Sequence, residues 1–253
     1  MTCTADIFAD LHDPDAPLVL YNVWDSATAK AAVEAGAKAV ATGSWSLAAA
    51  HGYDDGQNIP FDLVKAVVAR IVASVRVPVT VDFECGYGST IDEISDNFAI
   101  LIALGVVGIN FEDQDMSGNG LIALEDQVQR IRALRGRANA AGVNVFINAR
   151  TDLFLQEPDA DRHADLVPSA IARGRAYMKA GASGVFVPGL QDSAAIRTIA
   201  EAIEGPLNIL VPANEARVAT LRNIGVSRFS YGPVPFLALM ETFKTSANAA
   251  MSA

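Results

Sequence analysis

Three stretches of the chain set acids, amides and a guanidinium at every second position. Val81-Asp82-Phe83-Glu84 alternates apolar and acidic residues, and Ile109-Asn110-Phe111-Glu112 repeats the pattern. Ile147-Asn148-Ala149-Arg150-Thr151-Asp152 adds a cation. Alternate side chains of a strand share a face. Asp82 is therefore expected beside Glu84, Asn110 beside Glu112, and Asn148 beside Arg150 and Asp152, with Asp113 as the other choice for the inward acid of its strand. Carboxylates that converge on one mouth repel each other until a cation or proton intervenes. An all-oxygen donor set favours a hard divalent ion, so Asp82, Glu84 and Glu112 read as ligands for Mg2+ or Mn2+. Two solvated loop acids would leave the same trace in the sequence. Arg150 either pairs with Asp82 or Glu112 or clamps an anionic substrate through parallel hydrogen bonds. Thr42-Gly43-Ser44 reads as a small polar turn whose backbone N–H groups suit a carboxylate or phosphate.

Other candidates carry less. Trp24 and Trp45 each follow a strand end and would wall a pocket or simply pack. His12 and His163 lie in polar stretches and read as solvated, whereas His51, near Asp54 and Asp55, is placed to approach the mouth. The acids that Cys85 neighbours, Asp82 and Glu84, would raise its pKa and work against a nucleophilic thiolate.

For these groups to meet, each must stand at the C-terminal end of a strand in one sheet. A recurring unit supplies such strands. Helical stretches end at Gly36, Gly105, Gly142, Gly181 and Gly225, and a β-type segment follows each at once. Glycine just past a helix accepts the left-handed conformation that ends it. The pattern predicts strands near 18–22, 38–42, 78–83, 107–111, 144–149, 183–187, 207–211 and 226–230. Helices are expected over 26–35, 62–75, 90–104, 124–141, 169–180, 191–203, 214–223 and from 236 onward. Eight βα units in 253 residues predict an α/β chain folded as one (β/α)8 TIM barrel spanning 1–253, with its site at the C-terminal strand ends. An open dinucleotide-binding sheet would need a glycine-rich turn after its first strand, where Tyr21-Asn22-Val23-Trp24-Asp25 stands instead.

Composition narrows the partners. Nineteen basic against 29 acidic residues give a formal charge of −10, which argues against nucleic acid and anionic membranes. Cys3 and Cys85 are too few for a disulfide framework or a cysteine-rich zinc site. The longest apolar run, Phe98 to Ile109, falls well short of the roughly 20 residues a membrane span needs. The N-terminus has no basic region leading into an apolar stretch, so a cytoplasmic protein is expected.

Taken together, these motifs resemble the isocitrate lyase / phosphoenolpyruvate mutase superfamily from about Leu18 to Gly232. Thr42-Gly43-Ser44 with Asp54-Asp55-Gly56 resembles its Ser-Gly turn and Pro-Asp-x-Gly loop. Asp82 to Gly88 is similar to its Asp-x-Asp-x-Gly-Tyr-Gly signature, Gly108 to Asp113 to its Gly-Ile-x-x-Glu-Asp, and Ala149 to Asp152 to its Ala-Arg-Thr-Asp. The resemblance implies a Mg2+-dependent barrel enzyme acting on small 2-oxo or 2-hydroxy acids, as a homo-oligomer, dimer or tetramer. It implies that Asp82, Glu84 and Glu112 hold the metal directly or through water, with Asp55 ordering the water shell. It also implies that Thr42, Gly43, Ser44 and Arg150 hold the substrate carboxylate and 2-oxo oxygen. Asn148, sharing a face with Arg150, and Trp24, past the first strand end, are expected to complete the substrate site, with Arg150, Asp55 and Glu112 as the catalytic set. The last helix, from about 236, is expected to pack on or swap with a partner subunit.

Departures from the pattern shape the functional expectation. Isocitrate and methylisocitrate lyases carry a Lys-Lys/Arg-Cys-Gly-His loop where this chain has Gln114 to Ile122, with no Lys, Cys or His. The thiol that would protonate a departing enolate is missing, which predicts no useful cleavage of isocitrate or 2-methylisocitrate. Gly118 and Gly120 flank Asn119 in a segment, 115–123, with little to bury, expected to act as a mobile lid that offers Ser117 or Asn119 as donors. The leading expectation is a Mg2+-dependent lyase that breaks a C–C bond, most simply by decarboxylation, through an enolate. P–C bond chemistry on phosphonopyruvate or phosphoenolpyruvate is the alternative, and a non-catalytic metabolite-binding barrel the third.

Overall fold

The eight predicted strands all form, as β1 (Leu18–Leu20), β2 (Val40–Ala41), β3 (Val79–Asp82), β4 (Gly108–Glu112), β5 (Phe146–Arg150), β6 (Gly184–Phe186), β7 (Leu207–Leu210) and β8 (Val226–Ser230). The structure is a computed structural model and describes residues 4–118, 120–212 and 215–252. Among the described residues every pair of neighbouring strands is parallel, in the order β1-β8-β7-β6-β5-β4-β3-β2. The remaining seam, between β1 and β2, is stitched by the bridge Val23↔Thr42, with Val23 N–H donating to Ala41 O at 2.8 Å. The result is a nearly closed (β/α)8 barrel.

The helices are α1 (Thr4–Asp10), α2 (Ser26–Glu34), α3 (Ser44–Ala50), α4 (Phe61–Ser74), α5 (Ile91–Ala103), α6 (Leu124–Ala140), α7 (His163–Ala180), α8 (Ser193–Ala202), α9 (Glu215–Leu221) and α10 (Val234–Met251). The five glycines that mark helix-to-strand turns all have positive φ, from 67° at Gly142 to 107° at Gly181. Two helices have no counterpart in the predicted set. α3 is a short helix of about two turns hidden in the Ser44–Ala50 run, and α1 lies at the polar N-terminus. α7 also starts six residues earlier than expected and carries Pro168 inside it.

α1 explains why His12 is not solvated. Phe8 is fully buried under the barrel, and His12, 7% exposed, stacks on Phe146 at 3.8 Å between centroids. Burial and the nearby Arg228 charge push the His12 pKa down to about 3, so the ring is neutral. Gly108 makes room for this plug: a Cβ there would lie 2.5 Å from the Phe8 ring. His163 is also buried, edge-on to Phe154, with Nε2 2.9 Å from Glu157 O. Both histidines sit in polar sequence but against aromatic rings, His12 on Phe146 from the distant β5 and His163 on Phe154, nine positions before it.

Candidate active site at the C-terminal barrel mouth

Asp82 is the last residue of β3, and its carboxylate meets the start of α3. Its Oδ2 accepts from Ser44 N–H at 3.1 Å and from Ser44 Oγ at 2.8 Å. Its own N–H donates to Thr42 Oγ1 at 3.0 Å. Anions are stabilised at a helix N-terminus by the unpaired N–H groups there, and the local bonds add to that. The Thr42-Gly43-Ser44 turn is thereby used up. Thr42 N–H donates to Thr80 O, Gly43 N–H to Val23 O and Ser44 N–H to Asp82. Contrary to the sequence expectation, this turn positions a carboxylate of the protein, and its backbone N–H groups are not free for a substrate anion.

Glu84 does not follow the strand alternation, because β3 ends at Asp82 and Glu84 itself has a φ of 50°. Its carboxylate turns to the loop, where Oε1 accepts from Gln57 N–H at 2.7 Å and Oε2 from the Tyr87 hydroxyl. Burial pushes its pKa up to about 7, against the Tyr87 hydrogen bond that favours the charge. Asp55 is also raised, by burial and then by the Asp82 charge.

Glu112, Arg150 and Asp152 form one buried unit. Arg150 Nη1 lies 2.8 Å from Glu112 Oε2, while Nε and Nη2 hold both oxygens of Asp152. Burial raises the Glu112 pKa, with Arg150 opposing. Burial works against the Arg150 charge, but Glu112 and Asp152 more than offset it, leaving its pKa above the ordinary value. A guanidinium has five N–H bonds; these contacts engage three and leave two. Asp113 is not the inward acid of β4. It points outward to Tyr177 OH at 2.6 Å and Arg173 Nη1 at 3.0 Å, and it also accepts from Asp152 N–H at 2.9 Å. It therefore anchors the backbone that presents Asp152 to Arg150.

These groups surround a cavity of about 170 Å³ lined by Gly43, Ser44, Asp55, Asp82, Asn110 and Arg150, with Trp45, Leu155, Phe186 and Leu210 as its apolar wall. Three expected substrate residues are not on this wall. Trp24 is drawn beneath α10, its ring 4.9 Å from Phe236, and Trp45 takes the place expected of it. Thr42 serves Asp82, and Asn148 lies one layer down, donating to Asn110 Oδ1 at 2.9 Å. His51 is tied to its own helix through Leu47 O. Cys85 is buried with Sγ 3.1 Å from Gln114 O, and burial followed by the Glu112 charge drives its thiol pKa up.

Sequence reading missed two residues here. Asn22, just past β1, donates to Thr42 O at 2.9 Å and accepts from Tyr231 and Gly232 N–H, clipping the barrel seam beside the cavity. Arg228, on β8, is fully buried inside the barrel, and burial lowers its pKa to about 9 against the opposing Asp82 charge. Its only sequence signal is the alternation Val226, Arg228, Ser230, which gives it the inward face.

The loop after β4 is held together at its base. Gln114 bridges Leu121, Asp115 N–H donates to Gly120 O at 2.8 Å, and Ser117 donates to Asp115 through both N–H and Oγ. Met116 and Ser117 border a neighbouring cavity with Cys85 and Arg130, not the one holding Asp82 and Arg150. Asn119 lies outside the described residues.

Among the described residues no three His, Cys, Asp or Glu side chains are gathered closely enough to hold an ion by themselves. Mg2+ keeps several waters and usually takes only one or two protein carboxylates. Asp82 and Asp55 on one cavity wall, with Glu84 and Glu112 close enough that the Asp82 charge helps raise the pKa of each, form an oxygen donor set of that kind.

A family model for phosphoenolpyruvate phosphomutase matches residues 8–251. The crystal structure of a "putative phosphonomutase" from Burkholderia cenocepacia J2315 superposes with a TM-score of 0.92 at 42% identity, over 97% of this chain and 99% of that one. An uncharacterized protein of Mycobacterium tuberculosis H37Rv is 35% identical over 91% of this chain and 83% of its own length. A 2-methylisocitrate lyase of Halalkalibacterium halodurans is 26% identical over 80% of this chain and 66% of its own length. An oxaloacetate decarboxylase of Pseudomonas aeruginosa is 31% identical over 60% of this chain and 53% of its own length.

Proposed function

The chain belongs to the phosphoenolpyruvate phosphomutase family, and on that premise we propose that it is a Mg2+-dependent lyase breaking a C–C bond of a small 2-oxo or 2-hydroxy acid. Decarboxylation of an oxaloacetate-like acid is the simplest case, because CO2 departs without a general base. The observation that carries this reading is the mouth cavity, small, acid-lined at Asp55 and Asp82, with Arg150 on its wall. Its size suits a short acid. The named activities of the methylisocitrate lyase and oxaloacetate decarboxylase relatives point the same way.

Asp82, Glu84 and Glu112 would hold a Mg2+ or Mn2+ ion directly or through water, with Asp55 ordering its water shell, and the ion would supply the Lewis acid that draws charge from the 2-oxo group. The two free N–H bonds of Arg150 bind the substrate carboxylate and orient the bond that breaks. Glu112 and Asp152 hold that guanidinium rigid, and Asp113 holds Asp152. Trp45, Leu155, Phe186 and Leu210 exclude water from the enolate left behind.

The chain acts as one unit over 1–253 and assembles with copies of itself through α10. That helix exposes Leu237, Leu239, Met240, Phe243 and Met251, and Phe243 is 69% exposed, an apolar face of the kind that marks an interface. No helix among the described residues is long and apolar enough to cross a membrane. A cytoplasmic setting fits the free, buried thiol of Cys85.

Turnover of a panel of 2-oxo acids, 2-hydroxy acids and phosphonopyruvate, with Mg2+ and with chelator, tests the reading. Metal-dependent release of CO2 or of a second carbonyl product is expected, with isocitrate and 2-methylisocitrate inert. Turnover confined to phosphonopyruvate would move the activity to P–C chemistry, and binding without turnover would leave a metabolite-binding barrel.

A further inference from the structure

The mouth cavity is rich in acceptors and poor in donors. The turn after β2 has spent its N–H groups, and Arg150 keeps two of five N–H bonds. An enolate oxygen forming there needs donors placed in advance. Asn110, on β4, lines the cavity and is 5% exposed.

An amide side chain has a donor end and an acceptor end, and its neighbours decide which faces where. Below Asn110 stands Arg228, whose Nη2 donates to Asn110 Oδ1 at 2.9 Å. A guanidinium has no acceptor, so this contact is possible only with the Asn110 oxygen turned toward Arg228. Asn148 Nδ2, at 2.9 Å, adds a second donor to the same oxygen. The Asn110 Nδ2 end must then face upward, where it lies 3.4 Å from Asp82 Oδ1 at the edge of the cavity. That long bond uses at most one of its two N–H groups. Arg228 itself is fully buried, with Nε 3.4 Å from Ser230 Oγ and Nη1 without a hydrogen-bond partner. Burying a guanidinium with an unsatisfied nitrogen is costly. A residue kept at that cost inside a barrel core does something that Leu or Met would not.

We propose that Arg228 is a positioning residue that locks the Asn110 amide, so that Asn110 Nδ2–H binds the substrate oxygen on which charge develops. The inference rests on the 2-oxo acid reading above and adds to it the donor that the turn after β2 does not provide. In this arrangement Asn110 touches the substrate, and Arg228 acts only through Asn110.

The test is oxalate binding to the full chain at saturating Mg2+, by calorimetry, alongside thermal denaturation. Oxalate carries the planar, anionic oxygens of an enolate of a 2-oxo acid. Asn110→Asp keeps the shape and gives Arg228 a charged partner but removes the donor. It also sets a second carboxylate oxygen 3.4 Å from Asp82 Oδ1, so it should melt below wild type. It should bind oxalate at least about tenfold more weakly, with the contrast between Gln and Lys at 228 separating a lost donor from added negative charge. Arg228→Gln, which can accept as well as donate, frees the Asn110 amide to flip and should weaken oxalate to a similar degree. Arg228→Lys, again a donor without acceptors, should restore affinity to within about threefold of wild type. If Asn110→Asp fails to fold, the contrast between the Gln and Lys variants at 228 decides. Wild-type oxalate affinity in folded Asn110→Asp, or in Arg228→Gln with only its melting temperature lowered, overturns the inference and leaves the functional reading intact. No oxalate binding by the wild type overturns both.

Discussion

Replacing Arg150 by Met removes the cation that joins two buried carboxylates. Glu112 and Asp152 are each only 4% exposed at the side chain, and Arg150 itself 17%. Breaking a buried pair by deleting one partner costs about 3–5 kcal/mol, because the surviving charge is left uncompensated. The penalty has a definite pH dependence. Burial already raises the Glu112 pKa, and Arg150 is what opposes the rise. Without Arg150 the folded-state pKa moves further above the unfolded value of about 4.3, so the folded variant takes up a proton that the unfolded chain has lost. A group shifted in that direction gives up stability as pH increases. The full cost should therefore appear at pH 8, and less than about half of it should remain at pH 5. Urea denaturation of wild type and Arg150→Met at the two pH values, with chelator present, measures this directly. Arg150→Lys keeps the charge but cannot hold Glu112 and both oxygens of Asp152 at once. It should stay folded and lose about 10²-fold or more in kcat/KM. A loss below about 1 kcal/mol for Arg150→Met at pH 8, or a penalty equal at both pH values, would refute the electrostatic argument. Normal turnover by a destabilised Arg150→Lys would reduce Arg150 to a structural salt bridge.

Four further outcomes follow from the same geometry. Glu84 titrates near 4.5 unfolded but at about 7 when folded, so wild-type stability declines as pH rises through that window; relative to wild type, Glu84→Gln should gain about 3 kcal/mol between pH 4 and pH 8 in chelator, and parallel pH profiles would contradict the burial argument. Asp82→Ala should abolish most Mn2+ affinity in calorimetry, and unchanged affinity would place the metal elsewhere. In Gly108→Val the new side chain collides with Phe8 and with Thr80 Oγ1, 2.8 Å from the modest Cβ alone, and about 1–3 kcal/mol of stability should be lost; a neutral effect would mean that α1 does not plug the barrel. Phe243→Asp on the exposed face of α10 should lower the oligomeric state seen by light scattering, whereas an unchanged mass would remove that face from the interface.

What was legible in the sequence divides along a physical line. Gly36, Gly105, Gly142, Gly181 and Gly225 announced the barrel because left-handed helix ends are local and each is followed directly by its strand. The acids were legible as a cluster for the same reason, since Asp82, Glu112 and Arg150 fall at or beside strand ends in register. Direction was not legible wherever the chain left regular structure. Two-residue alternation placed Glu84 beside Asp82, but it fails two residues past β3, where a φ of 50° turns Glu84 toward Gln57, 27 positions away in sequence. Nor could spacing reveal that Asp82 would consume Ser44, a contact spanning 38 positions. His12 and Arg228 show the deeper limit. Both have polar side chains in the barrel interior, and only the joint presence of Phe8, Phe146, Asn110 and Ser230 makes that burial tolerable. Composition registers each as a surface residue, because nothing local distinguishes a solvated Arg from one whose donors lock an amide 118 residues away. Polar groups that a fold buries far from their sequence neighbours are therefore where a barrel of this kind hides its specificity, and Arg228 is the residue of this chain at which that principle is most directly open to measurement.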